Sequence, residues 1–239
     1  MKNILIIMIS FSLLFACSCS PEAGPTGPEG EDGTAYAQMV FQQGLYPNPG
    51  YSGCEDTRIF SGPSTENYGS CFNLGAGYTS YIARSLLKFD IEGMLPAGST
   101  IKKAYISVYV RYYQADTTWS LYKVTQSWSE GTAGCGGTVD VDASWDYYNG
   151  SGNSWSNAGG DFDSSAISNS ILVDGDLEAF IDFDINASVV QSWLDNPSAN
   201  YGVILKADNE DTDNYASVYS SEETDIEYRP KLTVYYTTP

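Results

Sequence analysis

The sequence contains no histidine and few basic residues, and these two shortages exclude several classes of function. Its 239 residues include 11 lysines and arginines against 30 aspartates and glutamates, which gives a formal net charge of −19. Without histidine, Ser–His and Cys–His catalysis are excluded, and no Cys-x-x-Cys pair is present to build a familiar zinc or iron site. Because so acidic a chain repels phosphate and anionic lipid, nucleic acid and a bare membrane surface are not expected as partners.

Long apolar runs are also scarce, and the one that exists stands at the N-terminus. Lys2 precedes a short apolar stretch that ends in small residues, which is the pattern of a secretory signal and is too short to favour a spanning helix. Leu14–Cys17 resembles the bacterial lipobox. It predicts a lipoprotein signal peptide over residues 1–16 and lipid attachment at Cys17, the alternative being an ordinary signal peptide cut near Ser20.

Residues 17–34 are predicted to be a tether. Glycine recurs at every third position from Gly24 to Gly33, with prolines following two of them, which is a collagen-like pattern. So few triplets favour an extended tether over a trimerising stalk, although the stalk remains the alternative. Together with the anchor, the tether predicts a lipid-anchored protein of the cell envelope, exposed on the outer membrane and touching lipid only through its acyl chains.

The remaining residues, 35–239, are predicted to form one all-β domain. Short runs rich in β-branched and aromatic residues alternate with Gly, Asn, Asp and Ser turns, which indicates a jelly-roll-like antiparallel β-sandwich with one short helix. A long polar loop is predicted over Ser129–Asn169. The predicted strands are Thr57–Phe60, Phe72–Leu74, Ser85–Asp90, Ile101–Tyr113, Trp119–Val124, Leu177–Asp184, Gly202–Ala207, Tyr215–Tyr219 and Leu232–Tyr236.

The helix is predicted between a cap at Asp184 or Asn186 and a stop at Pro197. Four apolar residues in this segment recur with helical spacing and share one face. They are Val189, Val190, Trp193 and Leu194. We interpret this helix as a plug that closes one end of the sandwich.

A disulfide is permitted by the predicted location outside the cytoplasm. The pair Cys54–Cys71 closes a short local loop and is the preferred prediction. A bond from Cys135 to either of these two cysteines remains open.

Eight short motifs of the chain carry a family resemblance when they are taken in order. They are Asn67–Gly69, Arg84–Asp90, Ile101–Val110, Tyr122–Gly131, Ala158–Phe162, Phe183–Leu194, Asn200–Ala207 and Arg229–Tyr236. With these motifs the chain resembles DNRLRE-domain proteins, the disaggregatase-related group that overlaps carbohydrate-binding module family 96, over residues 55–236. The resemblance implies a β-jelly-roll on a secreted or cell-surface protein.

The strand Ile101–Tyr113 is the first candidate for a ligand-binding surface. Strand alternation assigns its even-numbered residues, Tyr112 among them, to the core and its odd-numbered residues to the outer face. Tyrosine rings can stack on sugars, and hydroxyl and guanidinium groups can bind them from the rim. The ligand-binding candidates are Tyr105, Tyr109, Arg111 and Tyr113. The alternatives are an ordinary strand surface, or a face covered by the long loop.

The tryptophans give a second set of candidates. Trp145 and Trp155 lie in the polar loop, where they are predicted either to stack on a ligand or to pin the loop to the sandwich. Trp119 is expected to face outward. Trp128 and Trp193 stand beside apolar residues and are expected in the core.

Acidic loops raise the possibility of a structural calcium ion, and no other cofactor is indicated. Ca²⁺ takes several oxygen ligands, which closely spaced carboxylates supply. Asp161 and Asp163 are the candidate ligands because they stand in or beside the motif that ends at Phe162. Solvated acidic turns are the alternative.

These observations predict a noncatalytic cell-surface lipoprotein module that binds polysaccharide by aromatic stacking and hydrogen bonding. One alternative is a structural or adhesive module whose partner is a surface protein. A polysaccharide lyase or glycosidase based on two carboxylates is a third possibility, but no such pair stands out from the acidic background.

Overall fold

The computed structural model describes residues 35–137, 142–175 and 177–239. The predicted signal peptide, the lipidation site at Cys17 and the tether all lie outside these residues. The described chain is mostly antiparallel β-sheet, in agreement with the predicted β-sandwich. Its strands are β1 (Ala37–Gln42), β2 (Cys54–Phe60), β3 (Asn73–Tyr78), β4 (Ile82–Phe89), β5 (Thr100–Tyr113), β6 (Thr117–Val124), β7 (Phe162–Ala166), β8 (Ile171–Val173), β9 (Phe180–Ile185), β10 (Val203–Ala207), β11 (Ala216–Tyr219) and β12 (Lys231–Thr237).

Two layers of strands form the sandwich. In the first layer β5 pairs with β12 and β9, β1 pairs with β12, and β11 continues along the C-terminal part of β5 with β3 beside it. In the second layer β4 lies between β2 and β10, and β6 follows with β7 and β8. The end of β3 also pairs with β4 and so connects the two layers.

The main core lies between these layers and follows from strand alternation. On β5, Ala104, Ile106 and Val108 point inward, while Leu87 on β4 and Leu205 on β10 belong to the same buried cluster. Each of these side chains is almost fully removed from solvent. Burial of such side chains is worth about 1.5–3 kcal/mol each and is the main stabilising contribution to the fold.

A second, smaller core lies on the outer side of the second layer. Ile59, Leu86 and Ile204 project there from β2, β4 and β10. The loop between β6 and β7 folds back over them and contributes further buried residues. These are Trp128, Ala143, Trp145 and Trp155. The described part of this loop therefore covers the second layer rather than the outer face of β5.

The helix α1 (Ala187–Asp195) agrees with its prediction. The side chain of Asn186, rather than Asp184, caps it by accepting the N–H of Ser188. Val190 and Trp193 are buried, and the helix packs against β5 at one end of the sandwich. Within the described ranges, no helix has the length and apolar character needed to cross a membrane.

Three strands were not predicted. β1 pairs with the last strand, and β7 and β8 arise where the sequence indicates irregular loop or no strand. Four of the five residues of β7, the segment FDSSA, are exposed. Because such polar residues carry no apolar alternation, pairing with β6 rather than local pattern determines this strand.

The preferred disulfide, Cys54–Cys71, was wrong, and one of the alternatives left open is present instead. Cys71 is bonded to Cys135, with their Cα atoms 4.7 Å apart, and Cys54 is a buried free cysteine. Cys54 begins β2 and packs into the main core, in register with Phe89 of β4. Cys71 lies just before β3, where the loop after β6 brings Cys135 to it. A short sequence separation was therefore a poor guide to proximity, because strand β2 carries the chain away from Cys54.

Candidate functional site

The outer face of the first layer carries a group of half-buried aromatic rings, which we call the aromatic band. It is formed by β5 and by its neighbours β9, β11 and β12, with one ring from the 3₁₀ turn Ile226–Tyr228. Its members are Tyr105, Tyr109, Phe180, Tyr219, Tyr228 and Tyr235. Each of these side chains is partly buried and partly exposed, which a stacking surface requires.

Tyr109 is the centre of the band. Its ring centroid lies 4.4 Å from that of Tyr228, 5.2 Å from Phe180 and 5.9 Å from Tyr219. The rings of Tyr219 and Tyr228 are stacked, 5.7 Å apart with 15° between their planes. The Tyr109 hydroxyl donates a hydrogen bond of 2.5 Å to the carbonyl of Glu178, which fixes the ring against β9.

The band continues along β5 to a second aromatic pair. Tyr105 and Tyr235 meet edge to face with centroids 6.1 Å apart. Between this pair and Tyr109, the ammonium of Lys231 lies 3.9 Å from the centroid of Phe180. A cation on a ring face is attracted to its π-electrons, so Lys231 also holds the ring in place.

Arg111 extends the band at its other end. Its guanidinium lies 5.2 Å from the ring centroid of Phe72 and 5.6 Å from that of Tyr219, and it donates to the Ser217 hydroxyl at 3.3 Å. Phe72 itself is 45% exposed. Tyr105, Tyr109 and Arg111 thus lie together on one surface.

Tyr113 does not join this surface, and its prediction was wrong. The register between β5 and β11 shifts between Ser217 and Val218, so that Tyr112 pairs with Ser217 while Val110 pairs with Val218. An extra residue in a strand reverses the faces beyond it. Tyr112 is accordingly exposed and Tyr113 packs against the main core, the opposite of simple alternation.

The surroundings of Tyr105 and Tyr109 favour the neutral form of these two phenols. The pKa of Tyr105 is raised, first by partial burial and then by the nearby Asp184 and Asp182. The pKa of Tyr109 is raised in the same way, first by partial burial and then by Tyr228 and Glu178. A neutral phenol can both donate and accept a hydrogen bond. The exposed carboxylates of Asp182 and Asp184 on β9 add acceptors beside the rings.

The predicted ligand-binding roles of Trp145 and Trp155 are not supported, because both indoles are buried. They are 8% and 5% exposed and pack in the second core. The indole N–H of Trp155 donates to the carbonyl of Ser144 at 2.8 Å, and the guanidinium of Arg84 lies over Trp145. Both residues pin the loop to the second layer, which was the alternative interpretation. Trp119 is also buried, contrary to its prediction.

Asp161 and Asp163 are not brought together as metal ligands. The two carboxylate oxygens of Asp161 accept hydrogen bonds from the backbone N–H groups of Ser156 and Asn157, so each oxygen already has a donor within the chain. Asp163 is exposed at the start of β7. Among the described residues, neither belongs to a group of three or more acidic side chains whose ligand atoms could share one ion.

Two shallow clefts elsewhere on the surface carry no aromatic side chain. One of about 510 Å³ is lined by residues 163–168 and Asn186. The other, of about 420 Å³, is lined mainly by charged residues that include Glu55 and Lys88. Ligand pockets are usually lined by apolar and aromatic groups with a few polar ones, so neither cleft competes with the band.

Comparison with known proteins identifies the family. The disaggregatase related repeat domain matches residues 56–234, which is most of the chain and nearly all of the sandwich. The chain belongs to this family. No curated protein matches it significantly. Membership agrees with the resemblance found in the sequence and indicates a noncatalytic or surface module.

Sequence reasoning missed four members of this disaggregatase-related domain's aromatic band: Phe180, Tyr219, Tyr228 and Tyr235. Tyr235 could have been found, because it alternates with the core residues Val234 and Tyr236 on a predicted strand. Tyr228 carries no such signal. It lies in a 3₁₀ turn and reaches the band only because this turn leads from β11 into β12.

Proposed function

We propose that this disaggregatase-related domain is a noncatalytic surface module that binds polysaccharide on the aromatic band. The observation that supports it most directly is the packing of Tyr109, Tyr219 and Tyr228 into one half-exposed cluster on the outer face of the first layer. Such rings present apolar faces that match the C–H faces of sugar rings, and a phenol oxygen can accept a hydrogen bond even where its O–H is already donated, as in Tyr109.

The rings of the aromatic band are preorganised for binding. Each ring is held by another ring, by a cation or by a backbone hydrogen bond, so little side-chain freedom would be lost when a ligand docks. The net charge of −19 disfavours a polyanionic glycan, and the polysaccharide we propose is therefore a neutral one. The carboxylates of Asp182 and Asp184, with Lys231, would bind its hydroxyl groups.

The test is binding of the full chain to a panel of neutral and acidic polysaccharides, measured by affinity electrophoresis. Tyr109→Ala is expected to weaken binding about tenfold, because a ring contact worth about 1.4 kcal/mol corresponds to that factor. Tyr81→Ala is the matched control, since Tyr81 is a 49% exposed tyrosine in the β3–β4 turn, outside the band. Binding that is indifferent to Tyr109→Ala would contradict the proposal.

The proposed lack of catalytic activity is tested separately, by a search for products of polysaccharide cleavage. Prolonged incubation of a bound polysaccharide with the chain should release no new reducing ends and no unsaturated products. Release of either product would favour a lyase or a glycosidase.

We also propose display on the cell surface through the lipid anchor. The support is the lipobox-like segment Leu14–Cys17 and the Gly/Pro tether that follows it. Incorporation of labelled fatty acid into the chain, abolished by Cys17→Ala, would support the anchor. Labelled protein in the Cys17→Ala variant would contradict it.

A protein partner is the second candidate for the same surface. Tyrosine and arginine are enriched at the centres of protein interfaces, and the band carries both, with Arg111 beside Tyr219. If no polysaccharide binds but cross-linking on cells captures a surface protein that Tyr109→Ala no longer captures, this function is favoured.

A further inference from the structure

Three carboxylates from distant parts of the chain converge on one buried point, which we call the acidic cluster. Asp56 lies on β2, Glu130 lies near the start of the loop after β6, and Glu222 lies in the turn after β11. One carboxylate oxygen from each lies within 4.8 Å of those of the other two. Asp56 is only 1% exposed, whereas Glu130 and Glu222 are partly accessible from the surface.

Hydrogen bonds within the chain use only part of this oxygen set. The N–H of Ser221 donates to Oδ2 of Asp56 at 2.8 Å, the N–H of Asp56 donates to Oε1 of Glu130 at 2.6 Å, and the Ser221 hydroxyl donates to Oε1 of Glu222 at 3.0 Å. Two buried oxygens remain without any partner, Oδ1 of Asp56 and Oε2 of Glu222. Buried carboxylate oxygens without a protein donor are rare in folded proteins, and they commonly face an ion or an ordered water.

The charge of the cluster is not balanced within the described residues. No ion pair there involves Asp56, Glu130 or Glu222, and Lys88 pairs with Glu55 instead. The folded chain thus holds together three acids that repel one another when ionised.

The backbone around Glu130 is fixed before any ligand arrives. Asn67 donates from Nδ2 to the carbonyl of Glu130 at 3.0 Å. Gly69 permits this close approach, because a Cβ at that position would lie 2.1 Å from the same carbonyl oxygen. Contacts within the fold therefore fix the position of Glu130.

We propose that the acidic cluster binds a divalent cation, Ca²⁺, through Asp56, Glu130 and Glu222. Oxygen-only donors of this kind select hard cations over zinc or copper. Bonds of about 2.3–2.6 Å to Ca²⁺ allow ligand oxygens up to about 5 Å apart, and the cluster lies within that limit. Ca²⁺ also accepts irregular sets of oxygen ligands, whereas Mg²⁺ demands a near-ideal octahedron.

The ion would join three segments that the sequence keeps far apart. It would tie β2 to the start of the long loop and to the turn that follows Tyr219, a member of the aromatic band. A catalytic role for the same carboxylates is disfavoured, because a polysaccharide bond cannot reach a carboxylate as buried as that of Asp56.

The test uses the full chain after removal of metal with a chelator. Calorimetric titration should show one Ca²⁺ per chain, and a hundredfold excess over Kd should raise Tm by about 5–10 °C, because the ion binds only the folded state. Glu222→Gln and Glu130→Gln should each weaken Ca²⁺ binding at least tenfold. Circular dichroism of both variants checks that they fold, and the partly exposed position of both residues favours this.

Two controls separate the cluster from general acidity. Glu227→Gln removes one exposed carboxylate near Glu222, and Asp163→Asn removes a ligand predicted from the sequence; both should bind Ca²⁺ as the parent chain does. The proposal is overturned if Ca²⁺ leaves Tm unchanged, if the two cluster variants keep the parent affinity, or if Mg²⁺ binds more tightly than Ca²⁺.

Discussion

Tyr109 and Tyr228 hold their ring centroids 4.4 Å apart, although one lies in the middle of β5 and the other in the turn that leads into β12. Tyr109 is fixed by its hydrogen bond to Glu178. The turn that carries Tyr228 is fixed by Asp225, which caps it, and by the guanidinium of Arg229, which donates to the carbonyl of Glu223 at 2.7 Å. Two independent supports thus hold one aromatic surface.

Tyr228→Ala should weaken polysaccharide binding about tenfold. It removes one ring, and a stacking contact with one ring contributes about 1.4 kcal/mol to the binding free energy. Tyr228→Phe keeps the ring and should bind within about threefold of the parent, because an exposed hydroxyl hydrogen bond contributes about 0.5 kcal/mol, the low end of the usual range. Affinity electrophoresis of both variants distinguishes stacking from hydrogen bonding. Equal losses for the two would show that the hydroxyl, not the ring, carries the interaction.

Trp155→Ala should destabilise the fold without a specific effect on binding. Its indole is buried in the second core, so truncation should lower the free energy of unfolding by about 3–5 kcal/mol. Urea denaturation measures this loss, and polysaccharide affinity per folded molecule should stay within about twofold of the parent. A variant of normal stability with abolished binding would instead restore the ligand-stacking interpretation.

Cys71→Ser and Cys135→Ser should lower stability by similar amounts, because each removes the same bond. The disulfide closes a loop with a sequence separation of 64. Restricting the unfolded chain through a loop of that length is worth about 4 kcal/mol. Denaturation of each variant measures the effect, with Cys54→Ala as the control that should leave the 71–135 linkage intact in a nonreducing peptide map. A map that instead links Cys54 to Cys71 contradicts the structure.

The strands and the helix were largely predictable from the sequence because their signal is local. Alternation on β5 identified Tyr105 and Tyr109, and helical spacing located α1, while the choice between Asp184 and Asn186 as its cap came only from the structure. Such patterns depend only on residues a few positions apart, which share a face or a turn.

The failures all involve nonlocal geometry. The bulge opposite Ser217 reverses the directions of Tyr112 and Tyr113, and nothing in the sequence of β5 marks it. The burial of Trp145 and the pairing of Cys135 both depend on where a long polar loop folds back. The acidic cluster was missed for the same reason, since its three carboxylates meet only in the folded chain.

Asn67→Ala should destabilise the loop over the second layer. Its side chain donates to the carbonyls of Glu130 and Ala143 at 3.0 and 2.7 Å and accepts the N–H of Gly69. Leaving these buried groups unpaired should lower the free energy of unfolding by about 2–3 kcal/mol. Urea denaturation measures this loss.

The matched control is Asn153→Ala, whose amide makes one exposed hydrogen bond to the carbonyl of Asn149 and should change stability by less than about 0.5 kcal/mol. An unchanged stability for Asn67→Ala would mean that the loop is held by its tryptophans alone.

The most direct test of polysaccharide binding is a structure of the chain with an oligosaccharide taken from the best-bound polysaccharide. The account predicts a sugar ring stacked on the cluster of Tyr109, Tyr219 and Tyr228, with hydroxyl groups bound by side chains at its rim. A sugar bound in the cleft lined by residues 163–168, or at any site that leaves these three rings untouched, would contradict it.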